Sequence, residues 1–120
     1  MEKGMIFRPE PEMEALPWKS SSKGSPGVTI RDFFSIKEND TVTVRHVRVD
    51  TGGQIVPHSH SVWEVFYMLE GDAEAKMGDF TARCSKGTCL IAPPGVKHSM
   101  KNTGNQPILL LCVFTPPLED

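Results

Sequence analysis

Residues 52–71, GGQIVPHSHSVWEVFYMLEG, determine the fold class and the site expected for this chain. Three side chains that can bind metal ions, His58, His60 and Glu64, occupy even positions of this strand-like segment. Because successive side chains of a strand point to opposite faces, the three share one face. The other even positions nearby are apolar, namely Val62, Phe66 and Met68. The pattern therefore predicts imidazoles and a carboxylate that point into an apolar interior.

Burial of these polar side chains requires partners that offset the loss of hydration, because an unpaired carboxylate in an apolar interior is costly in free energy. A divalent cation offsets that desolvation and uses the lone pairs of both imidazole rings. The two-residue spacing of His58 and His60 lets both rings chelate one ion from one side of a strand. Residues 52–71 thus predict a metal site.

A second segment, residues 87–102 (GTCLIAPPGVKHSMKN), is expected to supply a further ligand. It presents a strand, then a Pro93-Pro94-Gly95 turn, then His98 on a returning strand. Proline fixes φ, and glycine adopts the conformations that a sharp reversal requires. The turn would fold His98 back, so that this hairpin faces the first segment.

Short β-branched runs flank these segments, each bounded by Gly, Pro, Asn or Asp. They cover residues 28–36, 41–49, 62–71, 79–84, 88–92 and 107–114. No stretch combines helical periodicity with capping signals, so the sequence predicts an all-β sandwich or barrel. Residues 1–27 are rich in proline, charge and serine, which predicts an extended N-terminal arm whose Trp18, Ile6 and Phe7 pack on other residues. Residues 28–120 would form the barrel domain.

The two segments resemble the paired motifs of the cupin superfamily. The positions that match the first motif are Gly52, His58, His60, Glu64 and Gly71, and those that match the second are Gly87, Pro93, Gly95, His98 and Asn102. With flanking strands, the resemblance extends over residues 28–114. It implies a small antiparallel β-barrel, the jelly roll or double-stranded β-helix. It also implies one divalent transition metal per chain, with His58, His60, Glu64 and His98 as ligands.

This nitrogen and oxygen donor set suits Fe, Mn, Ni, Co, Cu or Zn. In an octahedral ion it leaves two positions for water, dioxygen or a chelating substrate. Similar cupins include quercetinase-type dioxygenases, oxalate-degrading enzymes and germins. The resemblance therefore implies dioxygenase-like or decarboxylase chemistry on a small oxygen-rich molecule, with Glu64 as a catalytic proton acceptor. Two alternatives are a cupin that binds or senses a small ligand without turnover and a sugar isomerase-like enzyme.

Other residues are candidates for the substrate pocket. Phe66, Met68 and Met100 are expected to line it. Arg45, His46 and Arg48 lie on a strand whose apolar alternation changes parity, so the sequence does not decide which of them faces inward.

Composition bears on the partners. The formal net charge is −2 and no basic face is evident, so neither nucleic acid nor an anionic membrane is an expected partner. The acidic, proline-rich start lacks signal-peptide features, which favours a cytoplasmic protein. Three cysteines without CxxC spacing indicate neither a disulfide framework nor a zinc finger. The segment around Glu64 is also apolar on its odd positions, which predicts a homodimer; these are Trp63, Val65, Tyr67 and Leu69.

Overall fold

The computed structural model describes residues 2–20 and 23–119. These residues form ten strands and one three-residue 3-10 turn, Glu10–Glu12. The strands are β1 Leu16–Ser20, β2 Lys23–Phe34, β3 Thr43–Val49, β4 Gln54–His58, β5 Trp63–Glu70, β6 Asp72–Met77, β7 Phe80–Ser85, β8 Cys89–Ala92, β9 His98–Asn102 and β10 Ile108–Thr115. None of the described residues forms a helix long and apolar enough to span a bilayer.

The strands build two antiparallel sheets. Sheet I has six strands in the order β1-β2-β3-β10-β5-β8, and sheet II has four in the order β4-β9-β6-β7. The core contains buried residues of both, so the sheets form a jelly-roll sandwich. The predicted all-β jelly roll is confirmed, although the two sheets are not hydrogen-bonded into one closed barrel.

Alternation explains the core of sheet I. In β10 every second residue is buried, from Ile108 through Leu110 and Cys112 to Phe114. Its neighbour β3 shows the same period, and Leu110 is the cross-strand partner of Val47. Burial of one face along each strand fixes the pairing register, because a one-residue slip would expose the whole set.

Six of the connections between the described strands pass from one sheet to the other, and two of them shape the site. The prediction that residues 52–71 form one continuous strand-like segment is wrong. β4 ends at His58 in sheet II, and β5 begins at Trp63 in sheet I. Nor do β8 and β9 form the predicted hairpin, because they belong to different sheets. Gly95, at φ +82°, turns the chain there, and its N–H donates to the carbonyl of His60 at 2.8 Å. That hydrogen bond ties the two crossings together.

The predicted arm contains a strand. β1 pairs antiparallel with β2, with Leu16 opposite Ile30, and extends sheet I at its edge. Trp18 packs against the core, whereas Phe7 is 79% exposed, so the expectation of packing fails for that residue. The division at residues 27 and 28 stays a prediction. Met1, Ser21, Ser22 and Asp120 of the two predicted units lie outside the described residues.

Candidate metal centre

Four predicted ligands converge where the chain changes sheets. His58 ends β4, His60 lies in the following turn, Glu64 is the second residue of β5, and His98 begins β9. Each offers a ligand atom, and these atoms lie within 4.8 Å of one another. His58 and His98 are direct cross-strand partners in sheet II, while Glu64 comes from sheet I. The cluster therefore bridges the two sheets and could hold one metal ion.

The Glu64 carboxylate lies at the centre of the cluster. Its Oε1 is 2.8 Å from His98 Nε2 and 3.4 Å from His60 Nε2. The ring centroids of His58 and His98 are 4.3 Å apart, and those of His58 and His60 are 4.7 Å apart. Two imidazoles thus lie beside one carboxylate oxygen, and the His58 ring packs against both of them.

Backbone carbonyls orient two of the rings. His58 Nδ1 lies 2.8 Å from the carbonyl of Val56, and His98 Nδ1 lies 3.0 Å from that of Val96. A carbonyl oxygen can only accept, so each Nδ1 carries the proton and donates it. This leaves Nε2 of each neutral ring with a lone pair for a cation, an arrangement common among metal-binding histidines.

The residues present fit a metal ion. His60 Nε2 is buried and has no hydrogen-bond partner within the described structure, which is costly for a polar atom. Two ligands bound at right angles, each about 2.1 Å from an ion, would lie about 3.0 Å apart. The 2.8 and 3.4 Å separations bracket that value. A cation among these atoms would give His60 Nε2 a partner. It would also accept the lone pairs of His98 Nε2 and Glu64 Oε1, which would otherwise repel each other.

The cluster shifts the pKa values of its members. Burial, opposed by the hydrogen bond to Val56, lowers the pKa of His58 to about 4. Burial also acts on Glu64 and His98, but their mutual contact outweighs it. The contacts of Glu64 with His60 and His98 lower the pKa of Glu64 to about 2. The contact with Glu64 raises the pKa of His98 above its ordinary value. Without metal, this contact favours the charged forms of both Glu64 and His98.

The cluster opens onto a narrow cavity of about 30 Å³ between the sheets. His58, Glu64 and His98 form the polar part of its wall. Apart from Arg45 and Ser99, the remaining lining residues are apolar or weakly polar, and they are Trp18, Val47, Ile55, Phe66, Met100, Leu110, Cys112 and Phe114. Glu64 is the one acidic side chain among these lining residues. The cavity is suited to a compact ligand bound next to the ligand cluster.

Only some of the residues predicted to form the substrate pocket line the cavity. Phe66 and Met100 line the cavity, whereas Met68, expected beside them, packs in the core. Of the three candidates on β3, Arg45 faces the cavity. His46 faces the opposite side, with Nδ1 3.9 Å from Glu10, and Arg48 is exposed and pairs with Asp50.

Sequence reasoning missed seven of the described lining residues, which are Trp18, Val47, Ile55, Ser99, Leu110, Cys112 and Phe114. The alternation in β10 could have placed Cys112 and Phe114 on an inner face. The sequence does not predict that Cys112 pairs with Phe66 and Phe114 with Glu64 across the strands. Burial raises the pKa of the Cys112 thiol well above its ordinary range, so this cysteine is a protonated lining group.

A family model described as "Cupin domain" matches residues 45–114, which include all four cluster residues. The chain therefore belongs to the cupin family. Among curated proteins it is similar to germin-like protein subfamily 2 member 2 of Arabidopsis thaliana, with 33% identity over 107 residues, 82% of this chain and 48% of that protein. It also resembles germin-like protein 1-1 of Oryza sativa, 27% identical over 86% of this chain and 51% of that protein. The chain spans about half the length of these curated relatives.

Solved structures show the same fold. KdgF from Halomonas sp. superposes with a TM-score of 0.80 at 19% identity, covering 96% of this chain and 98% of that one. A predicted oxalate decarboxylase from Thermotoga maritima gives a TM-score of 0.80 at 22% identity, covering 93% and 99%. At these identities the likeness establishes the jelly roll and not the reaction.

Proposed function

We propose that this chain is a metal-dependent cupin that carries out redox or lyase chemistry on a small oxygen-rich molecule. The observation that carries the proposal is the convergence of four donors on the wall of a largely apolar cavity. Such a cavity combines an ion-binding wall with apolar surfaces that exclude water, which strengthens electrostatic attraction to an ionic ligand. The size of the cavity restricts that ligand to compact molecules.

His58, His60 and His98 would hold one divalent ion through Nε2, together with the Glu64 carboxylate. The neutral imidazoles and single carboxylate suit Fe, Mn, Ni, Co, Cu or Zn. When bound, such an ion supplies Lewis-acid or redox chemistry at a ligand oxygen. One carboxylate leaves a dication with net positive charge, so the site would attract an anionic oxygen chelator.

The chain's own residues would orient the ligand and handle its proton. We assign the proton-accepting role to Glu64, because it is the one carboxylate among the described residues that line the cavity. Its low pKa keeps it ionised across the physiological range. Phe66, Met100 and Phe114 would shield the reacting group from bulk water.

Two similarities support this reaction class without assigning it. One solved neighbour is a predicted oxalate decarboxylase, and two curated relatives are germin-like proteins. A further relative, the H2HPP isomerase of Bacillus subtilis, is 24% identical over 68% of this chain and supports isomerisation as a second candidate. A small acid with two oxygens able to chelate the ion is the substrate type common to the preferred reactions.

Protein reconstituted separately with Fe(II), Mn(II), Ni(II), Co(II), Cu(II) and Zn(II) can be screened with compact hydroxy, oxo and dicarboxylic acids. We expect oxygen consumption or carbon dioxide release with at least one combination, and its loss in His98→Ala. The matched control is His46→Ala, which removes a histidine on the face of sheet I that points away from the cavity. Product formation without oxygen use or carbon dioxide would favour an isomerase. Metal-dependent binding without any product would overturn the catalytic proposal and favour a ligand-binding cupin.

A further inference from the structure

Arg45 is a buried cation on the wall of the cavity that holds the metal ligands. It is 3% exposed and lines the cavity together with Glu64, His58 and His98. Arginine is seldom buried to this extent without a specific role, because removing its charge from water is expensive. The position of Arg45 therefore calls for a physical account.

Asp32 and Phe114 fix the guanidinium group. Arg45 Nε and Nη2 donate to the two carboxylate oxygens of Asp32 at 2.6 and 3.1 Å, a two-pronged contact that sets the plane of the group. The guanidinium carbon lies 5.4 Å from the centre of the Phe114 ring. That ring is in turn 5.1 Å from the ring of His60. Asp32 and Phe114 thus hold Arg45 in place relative to the ligand cluster.

Strand register places Arg45 and Glu64 on the same side of sheet I, with β10 between their two strands. Arg45 on β3 pairs with Cys112 on β10, while Phe114, the next inward residue of β10, pairs with Glu64 on β5. One strand therefore separates the strand of Arg45 from the strand of Glu64, two ladder spacings of about 4.8 Å each. A ligand bound at the cluster could extend across β10 toward the guanidinium.

We propose that Arg45 binds a second anionic group of the ligand whose chelating oxygens occupy the metal. This inference rests on the proposed function and narrows its substrate class to hydroxy or oxo acids that carry a second carboxylate. A dication, Glu64, Arg45 and Asp32 together leave one net positive charge, which attracts an anionic ligand, and the guanidinium offers charged donors to a second carboxylate. Asp32 is a positioning residue in this scheme, and Arg45 is a specificity residue.

The test compares two probes, L-lactate and L-malate, by calorimetry on metal-loaded protein. Both carry a 2-hydroxy acid for chelation, and malate adds the second carboxylate. We expect malate to bind about tenfold more tightly, since a charge-assisted hydrogen bond contributes an effect of that order. In Arg45→Met combined with Asp32→Asn, which removes the buried pair as a unit, the two affinities should become equal. Metal content should stay at one ion per chain.

The control is Arg48→Met combined with Asp50→Asn, which removes an exposed ion pair of the same composition from the opposite face of β3. It should preserve the preference for malate. Equal binding of the two acids by the wild-type protein would overturn the role of Arg45, while metal-dependent lactate binding would leave the proposed function standing. Failure of both acids to bind metal-loaded protein would overturn both proposals. If the buried-pair variant does not fold, Arg45→Gln removes the cation and keeps a polar side chain, and a retained tenfold preference there would overturn the proposal.

Discussion

The Trp18 ring meets the His58 ring edge to face, with centroids 4.7 Å apart and an interplanar angle of 78°. Trp18 belongs to β1, at the edge of sheet I, whereas His58 ends β4 in sheet II. The contact therefore brings the N-terminal strand against a metal ligand from the other sheet. Trp18 also lines the cavity, so β1 is part of the site and not only of the fold.

This contact predicts that Trp18 reports metal binding. Addition of Co(II) or Cu(II) should quench its fluorescence strongly, because an open-shell ion bound by His58 would lie close to the indole ring. The second tryptophan, Trp63, is 44% exposed and faces outward. We expect Trp18→Phe to remove most of the quenching and Trp63→Phe to preserve it. Quenching that survives in Trp18→Phe would place the bound ion elsewhere.

The all-β class and the grouping of His58, His60 and Glu64 could be predicted from local signals, whereas the jelly roll and the complete ligand set were implied by the resemblance to cupins. Period-two alternation marks the inward faces of β5 and β10, and the spacing of His58, His60 and Glu64 identifies them as a group. The alternation predicts an inner face for Glu64 and Phe66, and the structure buries both residues. Physical periodicity therefore carried this part of the prediction.

What could not be predicted depends on contacts between distant segments. The turn at residues 59–62 separates β4 from β5. Its polar residues are compatible with a change of sheet, but they are equally compatible with a continuous strand, so the sequence did not predict the crossing. Arg45, His46 and Arg48 could not be told apart, because their orientation follows from pairing with β10. Trp18 became part of the site through pairing of β1 with β2, which sequence spacing does not encode.

The pKa shifts predict the order in which the metal-free histidines titrate. As the pH falls, His98 should take up its proton above the ordinary value of 6.5, because the contact with ionised Glu64 outweighs its burial. His58 should follow only near pH 4, because burial disfavours its charged form. Proton NMR of the imidazole Cε1 hydrogens on chelator-treated protein checks this order. Titration of His58 before His98 would contradict the assigned contacts.

Two glycines offer a matched test of the backbone. Both have positive φ, +99° at Gly71 and +78° at Gly52. A Cβ at Gly71 would lie 2.8 Å from the Ile108 Cα, whereas a Cβ at Gly52 would meet nothing within 4 Å. We expect Gly52→Ala to lower the free energy of unfolding by about 1 kcal/mol, from backbone strain alone. Gly71→Ala should cost about 3 kcal/mol, because steric overlap adds to that strain. Equal losses in urea unfolding would contradict the close approach of Gly71 to β10.

The outer face of sheet I leads us to propose a homodimer. Tyr67 and Ile91 are 42% and 52% exposed there, and half-buried Val65 and Leu111 lie beside them. A contiguous apolar face of this kind favours a protein partner, and a second copy would cover it symmetrically. Light scattering at micromolar concentration should give twice the chain mass of 13.3 kDa.

The combined variant Tyr67→Lys and Ile91→Lys should become monomeric, because two buried charges would then face each other across the interface. Phe80→Lys, a similar change on exposed β7 of sheet II, should leave the dimer intact. A monomeric wild-type protein, or a dimer that persists in the double variant, would argue against this face.

Metal content tests the central claim most directly. Protein made without an affinity tag, reconstituted and freed of excess ion, should contain one divalent transition metal per chain by mass spectrometry. His60→Ala and His98→Ala should each lose it, since an incomplete donor set no longer offsets the desolvation of the ion. His46→Ala should keep it. Stoichiometric metal in both ligand variants, or none in the reconstituted wild-type protein, would contradict a metal centre formed by His58, His60, Glu64 and His98.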